Sequence, residues 1–486
     1  VKRPACSFAL AAALVAGCTV GPNYKAPRLP TPPAYAEAAS TSRLAITPAD
    51  ADLSQWWTQF GDPLLDALVT EALAGNPDVA TAASRVREAR ERETVASAAE
   101  YPKLSGSANT VTLNSNRPSS SGAAGSGGSA AGQGATGLQI PSHLNLYSAG
   151  FDASWELDLF GGTRRSIQEA RANTDAYRWA ERDTRVSLVA EVANDYLTLR
   201  ALQARIAVGE AELQRQKNLF TLISARRKAG FVTDLDVNQQ TTQVATAAAQ
   251  IPQLDAQAKA EIHAIGVLLG QPPEALTKRL AATGAALPPP PPTLPTGLPS
   301  ELLRRRPDIR EAERKLAASN AEIGVQTANL YPKVNLIGLA SFAGMSLDTL
   351  FSHQNLTSVG VGMASVPIFD AGRTRASIRV AREENHQAEI AYETTVLVAL
   401  REVEDDLARY TAEESRRTSL ARSVAAARNS LTIAQDQYRT GFVTFINLLN
   451  AENTVLNAED QLTQSDAQVA TDLVAIYKAL GGGWAS

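Results

Sequence analysis

The sequence predicts an α+β membrane protein with an internal two-fold repeat, in which pairs of β-strands alternate with very long antiparallel α-helices. Three observations carry this. Short motifs recur in the same order in the two halves of the 486-residue chain. Residues 145–159 alternate apolar and polar side chains at period two. Two segments, 163–228 and 373–439, run without a proline.

The repeat rests on four ordered anchors. Asn76–Pro77–Asp78 with Arg85–Val86–Arg87 echoes Arg306–Pro307–Asp308 with Arg314–Lys315–Leu316. Tyr101–Pro102–Lys103 matches Tyr331–Pro332–Lys333, and Phe160–Gly161–Gly162 matches Phe369–Asp370–Ala371–Gly372 with one residue inserted. Gly230–Phe231–Val232–Thr233 then recurs as Gly441–Phe442–Val443–Thr444, 211 positions later. A unit of this length is far longer than a solenoid repeat, so each half is a whole structural unit.

The N-terminus reads as a targeting segment. Lys2 and Arg3 precede a short apolar run that ends at Leu14–Val15–Ala16–Gly17–Cys18. It is too short to span a bilayer and has the shape of a secretory signal. The small pair before Cys18 is similar to a bacterial lipoprotein box, with residues 1–17 as signal and Cys18 as the lipidated first mature residue. An ordinary cleaved signal with an incidental cysteine is the alternative. Thr19, rather than Asp, fits sorting to the outer membrane. Loss of Lys2 and Arg3 takes the net charge from −4 to −6. No other run of 18 apolar residues exists, so a membrane crossing has to be a β-barrel.

The elements follow in order. Residues 18–63 form an N-terminal lipid-anchored extended segment. The first repeat, 64–287, opens with an Ala-rich, charged helix from Leu64 to Ala99, interrupted in sequence only by Pro77. Strands are expected at about 103–113 and 144–159. Tyr147, Phe151, Trp155 and Leu157 lie on one face of the second strand, and Ser148, Asp152, Ser154 and Glu156 on the other. The loop between the strands, residues 114–137, is nearly all Ser, Gly, Ala and Asn, a composition that buries no core. The long helix 163–228 would be about 100 Å long. Gly230 ends it and Phe231 and Val232 cap its apolar seam. Thr233 restarts the chain as helix 234–270.

Residues 288–299 are a Pro-rich linker. The second repeat, 300–480, predicts a helix and strands at about 333–343 and 356–368. In the second strand Val359, Val361 and Met363 alternate with Ser358, Gly360 and Gly362. The long helix 373–439 carries a coiled-coil seam at Leu400, Val403, Leu407 and Tyr410. The Gly441–Phe442–Val443–Thr444 turn and helix 445–480 follow, then a tail, 481–486. The repeated four-residue motif is thus the tip of a helical hairpin, present twice because the hairpin is.

Four strands cannot close a barrel, and an open edge in hydrocarbon leaves backbone groups unpaired. Several chains must therefore share one barrel. The segments CTVGPNYKAP at 18–27, WWTQFGDPLLDALV at 56–69, the paired YPK and FGG/FDAGRTRA segments, YRTGFVTFINLLNAEN at 438–453 and IYKALGGGW at 476–484 resemble the outer-membrane factor family, in its lipoprotein branch. Its members are the exit ducts of RND-type tripartite efflux pumps, and the likeness runs from Cys18 to Trp484.

The resemblance implies a homotrimeric 12-stranded β-barrel, four strands per chain, continued by a coiled-coil α-helical periplasmic barrel. It implies a periplasmic adaptor protein and an inner-membrane transporter as partners, with outer-membrane lipid around the barrel. No cofactor is implied beyond diacylglycerol and an N-acyl chain on Cys18. By motif, Tyr438 is the gate tyrosine, Gly441 the turn glycine and Asp236 the acidic partner from the first tip. Family positions that often carry acidic rings fall on Asn447 and Asn450, which carry no charge. They form a constriction with Ile446 and Leu449, or they serve only as caps at the helix start. The tips, Gly230–Thr233 and Gly441–Thr444, are where the adaptor would dock.

Other classes fit less well. Net charge is −4 with dispersed Lys and Arg, which argues against nucleic acid. The chain lacks a Walker A motif, His-Glu-x-x-His, Cys-x-x-Cys and Gly-x-Ser-x-Gly, and its four His are scattered, so no enzyme or metal site is expected. A non-channel coiled-coil lipoprotein accounts for the helices and Cys18 but not for the strand at 145–159. Cargo stays open among small amphiphilic or toxic compounds, heavy metals and signalling molecules. The two Met and four His argue mildly against metal relay.

Overall fold

The computed structural model describes residues 19–37, 53–114, 143–281, 287–289 and 299–484. The signal-like residues 1–17, Cys18, residues 38–52 of the N-terminal segment, the Ser/Gly-rich loop from 115, linker residues 290–298 and residues 485–486 lie outside the described residues. The chain divides into two compact units. One comprises the N-terminal residues to Tyr24, Glu91–Arg171 and Ala317–His386; the other comprises Lys25–Arg90, Ala172–Leu316 and Gln387–Ser486.

The helices are α1 (Pro63–Gly75), α2 (Pro77–Ala98), α3 (Gly162–Lys228), α4 (Asp234–Leu268), α5 (Thr277–Leu280), α6 (Pro299–Arg305), α7 (Pro307–Ala328), α8 (Arg373–Thr440) and α9 (Phe445–Ala479). The strands are β1 (Lys103–Asn114), β2 (His143–Leu157), β3 (Lys333–Gly344) and β4 (Leu356–Ser365).

The single helix expected over Leu64–Ala99 is two helices. Pro77 has no N–H, and the preceding Asn76 is driven to an extended conformation, φ −67° and ψ 129°. The Asn76 side chain then accepts from the Asp78 and Val79 N–H groups at 2.8 and 3.1 Å, capping α2. Its amide also donates to the Leu268 carbonyl at the end of α4, at 2.9 Å. The second repeat breaks at the same place. Arg306 precedes Pro307 and donates to the Ala479 carbonyl, at the end of α9, at 3.0 Å.

In the first unit the strands form one sheet in the order β1-β2-β3-β4, antiparallel throughout. β1 and β4 are its free edges. β2 stops at Leu157, earlier than expected, because Asp158 turns to accept from the Arg164 backbone and side chain at 3.0 and 3.2 Å. β4 stops at Ser365, short of the expected 368, two residues before Pro367.

The register sorts the faces. Trp155 lies opposite Leu336, Phe151 opposite Ala340, and Leu336 opposite Gly362. This face carries no charged side chain across Leu104–Thr112, Tyr147–Leu157, Val334–Phe342 and Leu356–Ala364. The indole N–H of Trp155 donates to the Glu100 carbonyl at 3.0 Å, near the start of β1. The alternation in β4 has the opposite phase. Val359, Val361 and Met363 share the face of Asp152 and Glu156, because β3 pairs Leu339 with both Asp152 and Val359.

The second unit is helical. Val189, Val192, Ala193, Tyr196, Leu197 and Leu199 on α3 are buried. Trp56 stacks on Tyr477 with centroids 4.9 Å apart and planes at 11°. On α8 the buried seam is Val396, Ala399, Val403, Leu407 and Tyr410; Leu400 is only half-buried, and Ala399 takes its step.

Candidate functional site at the paired helix tips

Both tips lie in the helical unit, and the same backbone turn builds them. At the first, the Gly230 N–H bonds Arg227 O at 3.0 Å and the Phe231 N–H bonds Arg226 O at 3.0 Å. At the second, Gly441 bonds Tyr438 O at 3.3 Å and Phe442 bonds Gln437 O at 2.9 Å. This double bond pattern is a Schellman motif, which needs a left-handed residue after the helix. Gly230 and Gly441 supply it with φ of +80° and +81°. A Cβ at either would meet nothing within 4 Å, so backbone conformation rather than space demands glycine.

The restarts differ. Thr233 and Asp236 form a full capping box: the Asp236 N–H reaches Thr233 Oγ1, and the Asp236 carboxylate accepts from the Thr233 N–H at 2.8 Å. Arg227 grips Asp234 through two bonds, at 2.6 and 2.8 Å, and holds that carboxyl below its ordinary pKa. At the second tip the equivalent N-cap, Thr444, makes no side-chain capping bond. The position matching Asp236, six residues after the glycine, is Asn447. Neither asparagine caps through Thr444, and both are exposed.

The apolar content of the motif also divides. Phe231 and Phe442 do not cap the seam; they project, 80% and 84% exposed. Val232 and Val443 pack instead against a buried cluster of Leu219, Ile223, Tyr438, Phe445, Leu448 and Leu449. This cluster joins the two hairpins, with two residues from α3 and four from the second tip. Leu449 therefore faces inward, away from Ile446, Asn447 and Asn450, which are exposed together. The exposed stripe continues along α9 as Thr454, Asn457 and Gln461, uncharged throughout.

Tyr438 is buried with its ring 5.9 Å from that of Phe445, and its hydroxyl has no hydrogen-bond partner among the described residues. Within this chain Asp236 bonds Thr233 of its own tip rather than Tyr438. Arg226 takes that place from the first tip: its guanidinium lies 4.8 Å from the Tyr438 ring centroid, and it reaches Arg439 O at 3.5 Å. In the sequence Arg226 is one of a basic run at a helix end, which suggests no more than a favourable dipole interaction.

Sequence reasoning also missed a buried polar network beside the cluster. Gln216 Nε2 donates to Glu212 and, at 2.9 Å, to Glu452 of α9. Gln240 of α4 donates to the Gln216 carbonyl at 2.9 Å and to its side-chain oxygen at 2.6 Å. All four side chains are buried. Burial pushes the Glu452 carboxyl above its usual pKa, and the bond from Gln216 pulls it back in part. One signal was present: Glu452 sits at seam spacing from Leu448, Leu449 and Val455. A charged residue on an apolar stripe marks a buried partner.

Among the described residues no group of three His, Cys, Asp or Glu side chains is placed to hold a metal ion, and no helix is long and apolar enough to cross a membrane.

Comparison with known proteins covers nearly the whole chain. The profile of the family described as "Outer membrane efflux protein" matches residues 68–271 and 298–482. The chain is 30% identical over 485 residues to Nodulation protein T of Rhizobium leguminosarum bv. viciae, covering 99% of this chain and 94% of that protein. It is 30% identical over 461 residues to the pyoverdine export outer membrane protein OpmQ of Pseudomonas putida, covering 94% of each. The solved structure of the outer-membrane channel OprN superposes with a TM-score of 0.86 at 35% identity, over 96% of this chain and all of that one.

Proposed function

This chain belongs to the outer membrane efflux protein family and is an outer-membrane efflux channel, and from that premise we propose the assembly, the gate and the cargo. Three copies share one 12-stranded barrel. A periplasmic adaptor docks on the helix tips, and an RND-type inner-membrane transporter supplies the energy. Cys18 carries the lipid anchor. The cargo is small amphiphilic compounds, in keeping with a relative named for pyoverdine export.

The observation that carries this reading is the open sheet. Four antiparallel strands leave two unpaired edges, and one face has no charged side chain. In hydrocarbon such a sheet is tolerable only when its edges are closed by further strands.

The gate is the second tip. The first is fastened by a capping box and a bidentate ion pair, whereas Thr444 lacks a side-chain cap. Its exposed Ile446, Asn447 and Asn450 line the constriction as uncharged rings, and Leu449 supports them from behind. Purified protein in planar lipid bilayers tests this. Asn447→Ala/Asn450→Ala should raise the conductance of the closed state several-fold. An unchanged conductance would place the constriction elsewhere.

A further inference from the structure

The repeat shows one respect in which the two long hairpins differ. α3 and α4 each carry a helix-weakening residue in mid-run, Gly209 and Pro252, placed 21 residues before Gly230 and 22 residues after it. The offset of 211 positions puts Leu420 of α8 and Thr463 of α9 at the matching places, and α8 and α9 contain neither glycine nor proline. Equal spacing from the turn sets Gly209 and Pro252 at one level of the first hairpin, about 30 Å from its tip. They meet there: Ile251 Cγ1 lies 3.5 Å from the place that a Cβ on Gly209 would take.

Both helices are weak at this level. Pro252 has no N–H for the Ala248 carbonyl one turn earlier, and its ring crowds that oxygen. Gly209 lacks the side chain that restrains a helix interior. The packing leaves room to bend: a cavity of about 280 Å³ lies between α3, α4 and α9, lined by Gly209, Gln250, Gln253, Leu254 and Leu456. One turn farther from the tip, Arg205 bonds Asp460 of α9 at 2.7 Å. On the tip side, Gln216 bonds Glu452 at 2.9 Å, and Leu219 and Ile223 enter the cluster around Tyr438. The first hairpin is thus tied to the second both above and below this level.

We propose that Gly209 and Pro252 form a joint in the first hairpin, on which its tip-side part swings while the part held by Arg205 stays in place. A swing of about 10° moves the tip about 5 Å. The Gln216–Glu452 bond and the buried cluster carry that movement to the second tip, whose unbroken helices have no such joint of their own. The joint stands on helix geometry, whereas its use in opening the channel rests on the gate proposed above.

Gly209→Ala/Pro252→Ala stiffens the joint without crowding it, since alanine at 209 meets Ile251 only at ordinary contact distance and alanine at 252 restores the N–H. In the full-length native protein, amides at 206–213 and 248–256 should exchange with deuterium about tenfold faster than those at 417–424 and 459–467, and the variant should remove that difference. This measurement reads the joint whatever the number of chains in the particle. Equal exchange in the two hairpins of the native protein, or no change in the variant, would overturn the joint. Spin labels on single cysteines read the swing. Phe231→Cys and Phe442→Cys, one label per chain in lipid nanodiscs, should each give a distance distribution between copies that is about twofold narrower when the joint is stiffened. Narrowing at Phe231 alone would overturn the transmission to the second tip, and narrowing at neither would overturn the swing. The conductance of Asn447→Ala/Asn450→Ala, which tests the gate, depends on neither result.

Discussion

Gln216 and Glu452 lie 2.9 Å apart across the hairpins, a buried amide on α3 donating to a buried carboxylate on α9. The other N–H of the same amide goes to Glu212, and Gln240 fixes the Gln216 side-chain oxygen. Gln216→Leu keeps the volume but leaves Glu452 buried without its donor, at a cost of about 2–3 kcal/mol. Chemical denaturation of the helical unit should report that loss.

Glu452→Gln should act in the opposite sense. Because burial raises the folded-state pKa, the protonated form is the one the fold favours. Its stabilisation is complete below the unfolded carboxylate pKa, about 4.3, and is lost as pH rises through the raised folded value. The glutamine retains an acceptor for Gln216 and does not ionise. Thermal midpoints measured from pH 4 to 8 should fall less for Glu452→Gln than for the native protein.

Asp183 on α3 gives a second pH test, with a defined window. Burial pushes its carboxyl up to about 6, Asp308 and Glu311 add to the rise, and Arg306 and Lys478 oppose it. Native protein holds the proton over a range where unfolded chain has released it, so stability falls as pH climbs from about 4 to 6. Asp183→Asn should remove that fall. Its gain should be absent at pH 3.5 and reach on the order of 1–3 kcal/mol at pH 7.5, read by denaturant midpoints at the two pH values.

Asn447→Asp restores to the second tip the residue that closes the capping box at the first. Two effects are expected together: a helix start firmer by about 1 kcal/mol, and a ring of negative charge where the native protein has amides. Reversal potentials across a salt gradient should move toward cation selectivity. Closed-state conductance should not rise.

Sequence periodicity and glycine chemistry made much of this fold legible. The alternation around Phe151 and Trp155 located β2, and the repeated glycines located both hairpin turns to the residue. What the sequence hid depended on partners distant in the chain. Asn76 reads as an ordinary polar residue before a proline until its contact with Leu268, 192 positions away, is seen. Val359 and Met363 alternate correctly within β4, but their face is fixed only by pairing with β3. The second tip shows the same limit. Tyr438 and the Asn447–Asn450 stripe match a sequence motif, whereas Arg226, Gln216 and Gln240 have no local pattern to mark them. The inward turn of Leu449 follows from helix phase, since it stands four residues from buried Phe445 and three from buried Glu452.

Four strands per chain serve a barrel that no single chain can close. The protein mass of the purified, detergent-solubilised particle, by light scattering corrected for bound detergent, tests it most directly. Three chains of 51.5 kDa each, less any N-terminal segment removed on maturation, are expected. A stable, folded particle of one chain would contradict it, because the β1 and β4 edges would then persist unpaired in a sheet assigned to the membrane.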